Sequence, residues 1–277
     1  MCLIAFALDY HRRYRLVLGA NRDEYFRRPS APAGFWEDAP QVLAGRDLEA
    51  GGTWLGVTRT GRLAAITNYR EPGAERKILP SRGRLVADFL TGRMTRDDYR
   101  ELLVRDGGRY GGFNLLFGDD SGLSYYSNRD ADITRIPSGV HGLSNHLLDT
   151  PWPKVATVQR GLDRLIRDDG IEAETLFAML AASDPFPDDL LPDTGVGPER
   201  ERFLSPIFIT GTDYGTRSST VILIGRDNRV TFLERSFDDL HRVSGYVRYR
   251  IEPGMAMAGE EVSSGGYQAN GNPVGNQ

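Results

Sequence analysis

The sequence is poor in the residues that build disulfides, metal sites and glycosylation sites. It holds one cysteine among 277 residues, which excludes an intrachain disulfide and a cysteine-based zinc site. Its four histidines show no metal-ligand spacing, so we expect no bound metal. No Asn-x-Ser/Thr sequon occurs.

Long apolar runs and strong charge are also absent. The apolar run at residues 2–8, CLIAFAL, is far shorter than the ~20 residues of a membrane span. It also lacks the basic leader and small-residue cleavage site of a signal peptide. The net charge of −4 gives neither nucleic acid nor an anionic membrane an electrostatic reason to bind. We therefore expect a cytoplasmic protein with no nucleic-acid partner and no stable membrane insertion.

The remaining composition is typical of a globular protein. Apolar residues make up 40% of the chain and charged residues 26%, which is enough apolar material for a core. Pairs of apolar runs joined by short polar turns predict antiparallel hairpins near both ends of the chain and in its middle. Helical patterns lie between these hairpins, the clearest at 151–169. Residues 29–40, rich in proline and alanine, predict an extended loop.

The first run bears on the architecture because it is apolar on both faces, which indicates a strand covered on both sides. Two antiparallel sheets packed face to face, with helices outside, would cover it. The sequence thus predicts the α+β class and a four-layer α/β/β/α sandwich of two antiparallel sheets. We expect residues 1–258 to form this single domain. Residues 259–277, rich in Gly, Ser, Asn and Gln, are predicted to be a disordered tail.

Cys2 stands directly behind the initiator methionine. If Met1 is removed, the chain begins with a thiol and a free α-amine on adjacent atoms, and the amine can act as base for the thiol. This is the activation route of N-terminal nucleophiles. The alternative interpretation is that Cys2 is a small buried hydrophobe on the first strand.

Four polar clusters lie at or just past predicted strand ends, where a scaffold displays functional groups. A carboxylate is needed to hold an arginine or the α-ammonium, and Asp23 is the candidate, with Glu24 second. Taken singly, each cluster also fits turn residues or a solvated charge run. The clusters are residues 21–24, 67–68, 144–146 and 215–220.

A thiolate that attacks an amide also needs a cation and donors for the developing oxyanion. Arg22 or Arg217 would supply the cation that lowers the thiol pKa. The side-chain amides of Asn68 and Asn145 would suit the oxyanion. The sequence therefore contains each group that such a reaction requires.

Taken together, several motifs resemble those of a known family. Cys2 leads the first strand, and the second ends in Asn21-Arg22-Asp23-Glu24. A late strand opens with Gly215-Thr216-Arg217-Ser218-Ser219-Thr220, and the patterns Gly51–Gly56 and Thr67–Arg70 lie between. On these motifs the chain resembles the NRDE family, also called the transport-and-Golgi-organisation protein 2 family, over most of its length, up to about residue 255.

The resemblance implies a fold and a site. The family is similar in plan to the N-terminal-nucleophile hydrolases of the penicillin acylase and bile-salt hydrolase group. Motif by motif, this implies a site built from Cys2 as nucleophile, Arg22 and Asp23 as the early pair, Asn68 and Asn145, and Arg217 as the late arginine.

One departure from the hydrolases concerns the early pair. In the hydrolases these two residues lie three apart, whereas Arg22 and Asp23 are adjacent. Neighbours on a strand point to opposite faces, so both can face the thiol only if the chain turns there.

Three hypotheses follow. The first is a cysteine N-terminal-nucleophile amidohydrolase that acts on a non-peptide carbon–nitrogen bond of a small molecule and needs no cofactor. The second is a non-catalytic binding or trafficking protein for haem or a lipid-like ligand, because the resemblance also connects the family with haem trafficking and lipid metabolism. A Cys2 thiolate could ligate haem iron. The third is a catalytically dead scaffold for protein–protein contacts.

Overall fold

The computed structural model describes residues 2–73, 79–130, 132–253 and 259–261. Within these residues the chain forms fourteen strands and five α-helices. The strands are β1 (Cys2–Leu8), β2 (Tyr14–Tyr25), β3 (Ser30–Phe35), β4 (Val42–Asp47), β5 (Leu55–Thr58), β6 (Leu63–Asn68), β7 (Phe113–Asp119), β8 (Gly122–Ser127), β9 (Ile133–Arg135), β10 (Gly139–Leu143), β11 (Tyr214–Gly225), β12 (Val230–Phe237), β13 (Val243–Ile251) and β14 (Gly259–Glu261). The helices are α1 (Gly83–Thr91), α2 (Arg96–Asp106), α3 (Pro153–Arg167), α4 (Ala173–Met179) and α5 (Pro198–Phe203).

The strands form two seven-stranded sheets. Sheet A has the order β10-β1-β2-β11-β12-β13-β14, and sheet B runs in sequence order from β3 to β9. Every pairing between neighbouring strands is antiparallel. Strand β1 therefore lies inside sheet A, between β10 and β2, which fits its apolar sequence.

The core between the sheets is built by the alternation of side chains along each strand. In β1, Ile4, Phe6 and Leu8 point toward sheet B, where they pack with residues such as Leu55 and Leu116. This inner face of sheet A is continued at the start of β1 by Cys2, which has the same parity.

The helices cover the two outer faces. Leu3, Ala5 and Ala7 of β1 pack under α3 and α4 in one cluster, whereas α1 and α2 cover sheet B in another. Helix α3 presents Val155, Val158 and Leu162 to the sheet at helical spacing. The predicted four-layer α/β/β/α sandwich and α+β class are confirmed. No helix among the residues that the structure describes is long and apolar enough to cross a membrane.

Two segments differ from the sequence predictions. Residues 29–40 were expected to be a loop, but Ser30–Phe35 form β3 at the edge of sheet B. An edge strand tolerates Pro32 because a missing N–H costs no ladder bond there, and the register shifts between Ala31 and Gly34. The helix expected at 151–169 is shorter, Pro153–Arg167.

Of the segment predicted as a disordered tail, the structure describes Gly259–Glu261, which pair with β13. The rest of that prediction lies outside the described residues.

A β-bulge sits where β2 and β11 meet near the predicted site. Thr216 pairs with Asp23 and Ser218 pairs with Arg22, so Arg217 is the extra residue on β11. The bulge thereby releases the Arg217 side chain from the alternation of its strand.

Candidate functional site

A cavity of about 980 Å³ opens between the two sheets at the end where β1 begins. Five of the six predicted site residues line it: Cys2, Arg22, Asp23, Asn68 and Arg217. The sixth, Asn145, is fully buried and lies behind the cavity wall. Residues from four distant parts of the sequence therefore meet at one end of the fold.

Cys2 and Arg22 face each other across neighbouring strands. Their Cα atoms are register partners in the β1–β2 pair, so their side chains leave the sheet on the same face. Cys2 is 8% exposed and lines the cavity. Arg22 Nη2 lies 4.0 Å from Glu24 Oε2, the residue two positions along the same face.

The electrostatic environment of Cys2 does not by itself activate the thiol. Burial raises the pKa of Cys2 to about 11, and the negative charge of Asp23 adds to the increase. The charge of the N-terminal ammonium, the charge of Arg22 and a hydrogen bond from the backbone of Asp23 lower the pKa and only partly offset burial. With Met1 attached, the thiol is thus protonated at neutral pH.

Asp23 points away from the inner face that carries Arg22. Strand β2 continues through Tyr25 without turning, so the adjacent side chains lie on opposite sides of sheet A. Asp23 is buried there and accepts a hydrogen bond from Thr216 Oγ1 at 2.7 Å. Burial raises its pKa, while the charge of Lys154 and the Thr216 bond lower it. The Asp23 carboxylate therefore acts on Cys2 from the opposite side of the sheet, although the residue also borders the cavity.

The two asparagines occupy different positions. Asn68 ends β6, lines the cavity, and its side chain makes no hydrogen bond with the residues that the structure describes. Asn145 Nδ2 donates to the Asn68 carbonyl at 3.0 Å. Ser144 Oγ donates to the Cys2 carbonyl at 3.1 Å, so residues 144–145 tie β6 to the start of β1. The geometry leaves the Asn68 amide available to a ligand and gives Asn145 a supporting position.

Arg217 holds the chain that follows β2. Its Nη1 donates to the carbonyl oxygens of Tyr25, Phe26 and Arg28, at 3.0, 3.3 and 3.0 Å. These neutral acceptors leave its positive charge uncompensated by a contact carboxylate. Burial and the charge of Arg22 lower the pKa of Arg217. The late arginine thus orders one wall of the cavity and adds positive charge to it.

A buried charged group below the sheet was missed from the sequence. Lys154 is fully buried at the start of α3, and its Nζ donates to the Leu204 carbonyl at 2.9 Å. Burial lowers its pKa to about 8, as does the charge of Arg70, whereas Asp23 raises it. A signal was present: residue 154 lies in line with Val158 and Leu162 on an apolar helix face, where a lysine is rarely buried without a partner.

Lys154 lies near a buried ion pair. Arg70 donates to Glu201, and both side chains are buried. Glu201 also accepts from the Thr194 backbone at 2.9 Å. Burial lowers the pKa of Arg70, against the opposing charge of Glu201. These groups hold residues 193–204, which include α5, against the base of the site.

One further carboxyl was also missed within the cavity wall. Glu234 is buried on β12 and accepts hydrogen bonds from the Ala33 backbone at 2.8 Å and from Thr220 Oγ1 at 3.1 Å. Burial raises its pKa. No cluster of three metal-ligating side chains occurs in the described ranges. The arrangement therefore offers a thiol, an arginine opposite it and a free amide donor, which are the groups of covalent acyl transfer.

Comparisons with known proteins give the chain a family. Residues 1–239 match the model of the family described as Transport and Golgi organisation 2. The chain is similar to the transport and Golgi organization protein 2 homolog of Bos taurus, at 39% identity over 257 residues that cover 85% of this chain and 93% of that protein. The homolog from Homo sapiens is 36% identical over 260 residues, which cover 86% and 94%.

Among solved structures, the Caenorhabditis elegans N-acylethanolamine-hydrolyzing acid amidase ortholog is similar with a TM-score of 0.47 at 9% identity. The match covers 80% of this chain and 92% of that chain.

Proposed function

This chain belongs to the Transport and Golgi organisation 2 family, and we propose that it is a cysteine N-terminal-nucleophile amidohydrolase for non-peptide carbon–nitrogen bonds of a small molecule. The observation that carries the proposal is the placement of the sole thiol. Cys2 opens into the cavity directly opposite Arg22, and the Asn68 amide, which no described residue hydrogen-bonds, lines the same cavity.

The proposed reaction begins when Met1 has been removed. The free α-amine of Cys2 takes the thiol proton, and the sulfur attacks the amide carbonyl carbon. The oxyanion that forms is met by the Asn68 side chain, while Asn145 holds the Asn68 backbone. The ammonium then gives its proton to the leaving amine as the carbon–nitrogen bond breaks. Water attacks the thioester, releases the acid and restores the thiol.

The charged residues have separate parts in this proposal. Arg22 stabilises the thiolate from the same face of the sheet, and Arg217 orders the wall beside it. Asp23, which faces away from the cavity, holds the α-ammonium through charge from below the strand. The position of Asp23 fits this holding part better than direct contact with a substrate.

Turnover by a form that begins with Cys2 tests the proposal. A panel of small amides is screened with this form, and a trapped thioester is sought by intact mass. We expect Cys2→Ser and a form that retains Met1 to lose turnover, and Ser236→Ala, a change in the same cavity wall, to keep it. Normal turnover by the form that retains Met1 would rule out the α-amine as base.

A binding protein for a lipid-like ligand or haem is the second candidate, and the mouth of the cavity favours it. Leu79 lines the cavity and is 41% exposed. Leu48 is 60% exposed and lies in sequence between Asp47 and Glu49, which both line the cavity. Such apolar side chains suit a hydrophobic ligand tail. A spectral titration with haem tests the haem version: it predicts stoichiometric uptake without turnover and weaker uptake by Cys2→Ala. An unchanged affinity in the variant would remove Cys2 from the iron.

A further inference from the structure

The charges that line the cavity are balanced in number but not in position. Five arginines and five carboxyl side chains contribute to its wall. Where each of these groups is paired decides what charge a bound molecule meets.

The arginines toward the mouth are neutralised. Arg28 donates to Asp47 through Nε at 3.0 Å and Nη2 at 2.8 Å. Arg46 forms a two-point pair with Asp38, at 2.8 and 2.9 Å. The Arg46 pair has the parallel geometry in which two nitrogens meet two oxygens, whereas both Arg28 bonds end on Oδ2 of Asp47. Glu49 Oε1 also lies 3.5 Å from Arg28 Nη1, so both of these arginines have carboxylate partners.

Two of the carboxyl groups are held by hydrogen bonds to other parts of the protein. Asp23 points below the sheet toward Thr216. Glu234 is occupied by the Ala33 backbone and Thr220, and its burial favours the protonated form because its pKa is raised. The charge of Arg22 lowers the pKa of both groups, so each offsets part of that charge without a direct hydrogen bond to its guanidinium being seen.

Three arginines near Cys2 are left with one loosely placed carboxylate. Arg22 Nη2 lies 4.0 Å from Glu24, beyond hydrogen-bond distance. Arg82 donates to the Gly112 carbonyl at 2.9 Å and Arg217 donates to carbonyls, and within the described residues neither forms an ion pair with a carboxylate. The inner end of the cavity thus carries an excess of positive charge beside the thiol.

The backbone around Arg82 is fixed rather than free to relax. Thr53 N donates to the Gly83 carbonyl at 3.1 Å. The two backbone segments meet so closely that a Cβ at Gly52 would lie 2.6 Å from Gly83 carbonyl atoms. The glycines of the Gly51–Gly56 pattern therefore hold the start of α1 against the cavity, and Arg82 with it.

We propose that Arg22 and Arg82 form a subsite for a carboxylate, and that the molecule this cavity takes is a small amide that carries an acidic group. The guanidinium fork matches a carboxylate in shape, and a partly buried cation that has no hydrogen-bonded carboxylate gains most from one. The inference deepens the proposed function and depends on it for the amide, whereas the carboxylate subsite stands on the arginines alone.

Two alkylating reagents test the subsite because Cys2 is the sole thiol. Iodoacetate and iodoacetamide share a leaving group and differ in charge. The rate ratio of iodoacetate to iodoacetamide is measured on the form that begins with Cys2 and divided by the same ratio for N-acetylcysteine. We expect this normalised ratio to be about tenfold at low salt, from attraction to a nearby uncompensated cation. It should fall toward one in 1 M NaCl, where the screening length is ~3 Å.

Variants assign the effect to a residue. Arg82→Gln should lower the normalised ratio several-fold, and Arg82→Lys should keep most of it. Arg84→Gln removes the same charge from an exposed position on α1 and should leave the ratio unchanged. If circular dichroism shows that Arg82→Gln does not fold, the subsite is tested by three other results. These are the ratio of Arg82→Lys, the ratio of the wild-type protein and its salt dependence.

The subsite and the hydrolase fail in different ways. Both reagents consume the same thiolate, so their ratio does not depend on how readily Cys2 ionises or on any turnover. A normalised ratio near one in the wild-type protein would overturn the subsite even if amides were hydrolysed. A raised ratio without turnover of any acidic amide would keep the subsite and count against the hydrolase.

Discussion

Removal of Met1 should change the reactivity of Cys2 by an amount that the structure allows us to work out. With Met1 attached, the thiol pKa is about 11, so ~0.01% is thiolate at pH 7, against ~3% for an ordinary thiol of pKa ~8.5. A free α-amine and nearby cations bring activated cysteines to pKa values of ~7 or below, where about half is thiolate. The thiolate population therefore differs by ~5,000-fold between the two forms.

Part of this difference is lost because a more acidic thiol is a weaker nucleophile. With a Brønsted coefficient of ~0.45, four pKa units reduce the rate of each thiolate by ~60-fold. The net expectation is that the form beginning with Cys2 reacts about 10²-fold faster with iodoacetamide at pH 7 than the form that retains Met1.

The assay is the rate of mass gain of each intact form across pH 5–10. The form that retains Met1 should speed up tenfold per pH unit through pH 9, because its thiol titrates near 11. The form that begins with Cys2 should level off near neutrality. Cys2→Ser is the control and should gain no label, since no other cysteine is present. Rates within threefold of each other at pH 7 would refute the reasoning.

Two further predictions concern stability. Arg70→Met should lower the free energy of unfolding in a urea titration by about 3–5 kcal/mol, because it leaves the buried Glu201 side chain without its arginine partner. Arg202→Met, at the exposed pair with Asp188, should leave the midpoint of the same titration nearly unchanged. Burial opposes protonation of His141, but the hydrogen bond and charge of Asp149 raise its pKa. Its stabilising effect should be complete below the unfolded pKa of ~6.5 and be lost as pH rises through the higher folded value, so the Tm deficit of His141→Gln should shrink over that range; a deficit that grew with pH would contradict this.

The layers of the fold could be predicted because they depend on local patterns. An opening strand apolar on both faces requires cover from a sheet and from helices, and the helical spacing of Val155, Val158 and Leu162 marks one of those helices. Strand β3 could not be predicted in this way, because Pro32 and the prolines that flank the strand indicate a loop until the sheet edge that accommodates Pro32 is known.

The candidate site divides along the same line. Arg22 and Asn68 were found because they lie at or near strand ends that the pattern reveals, inside β2 and at the last residue of β6. The side of the sheet on which the Asp23 side chain lies could not be predicted. It depends on β2 continuing as a regular strand while the β-bulge falls on β11. Arg82 belongs to a helix start that only the close contact between Gly52 and Gly83 brings to the cavity.

The bulge at Arg217 also bears on how the gene can change. Strand β11 pairs with β2 along its whole length, and Arg217 is the extra residue in that pairing. It separates the half of β11 whose apolar side chains, Ile222 and Ile224, face the core from the polar end near Asp23. Deletion of that codon would remove the arginine and also force Thr216 to exchange faces or slip against Asp23. Insertions and deletions near codon 217 should therefore be far less tolerated than substitutions, which a deep mutational scan that includes length changes would reveal as a narrow intolerant window in an otherwise permissive strand end.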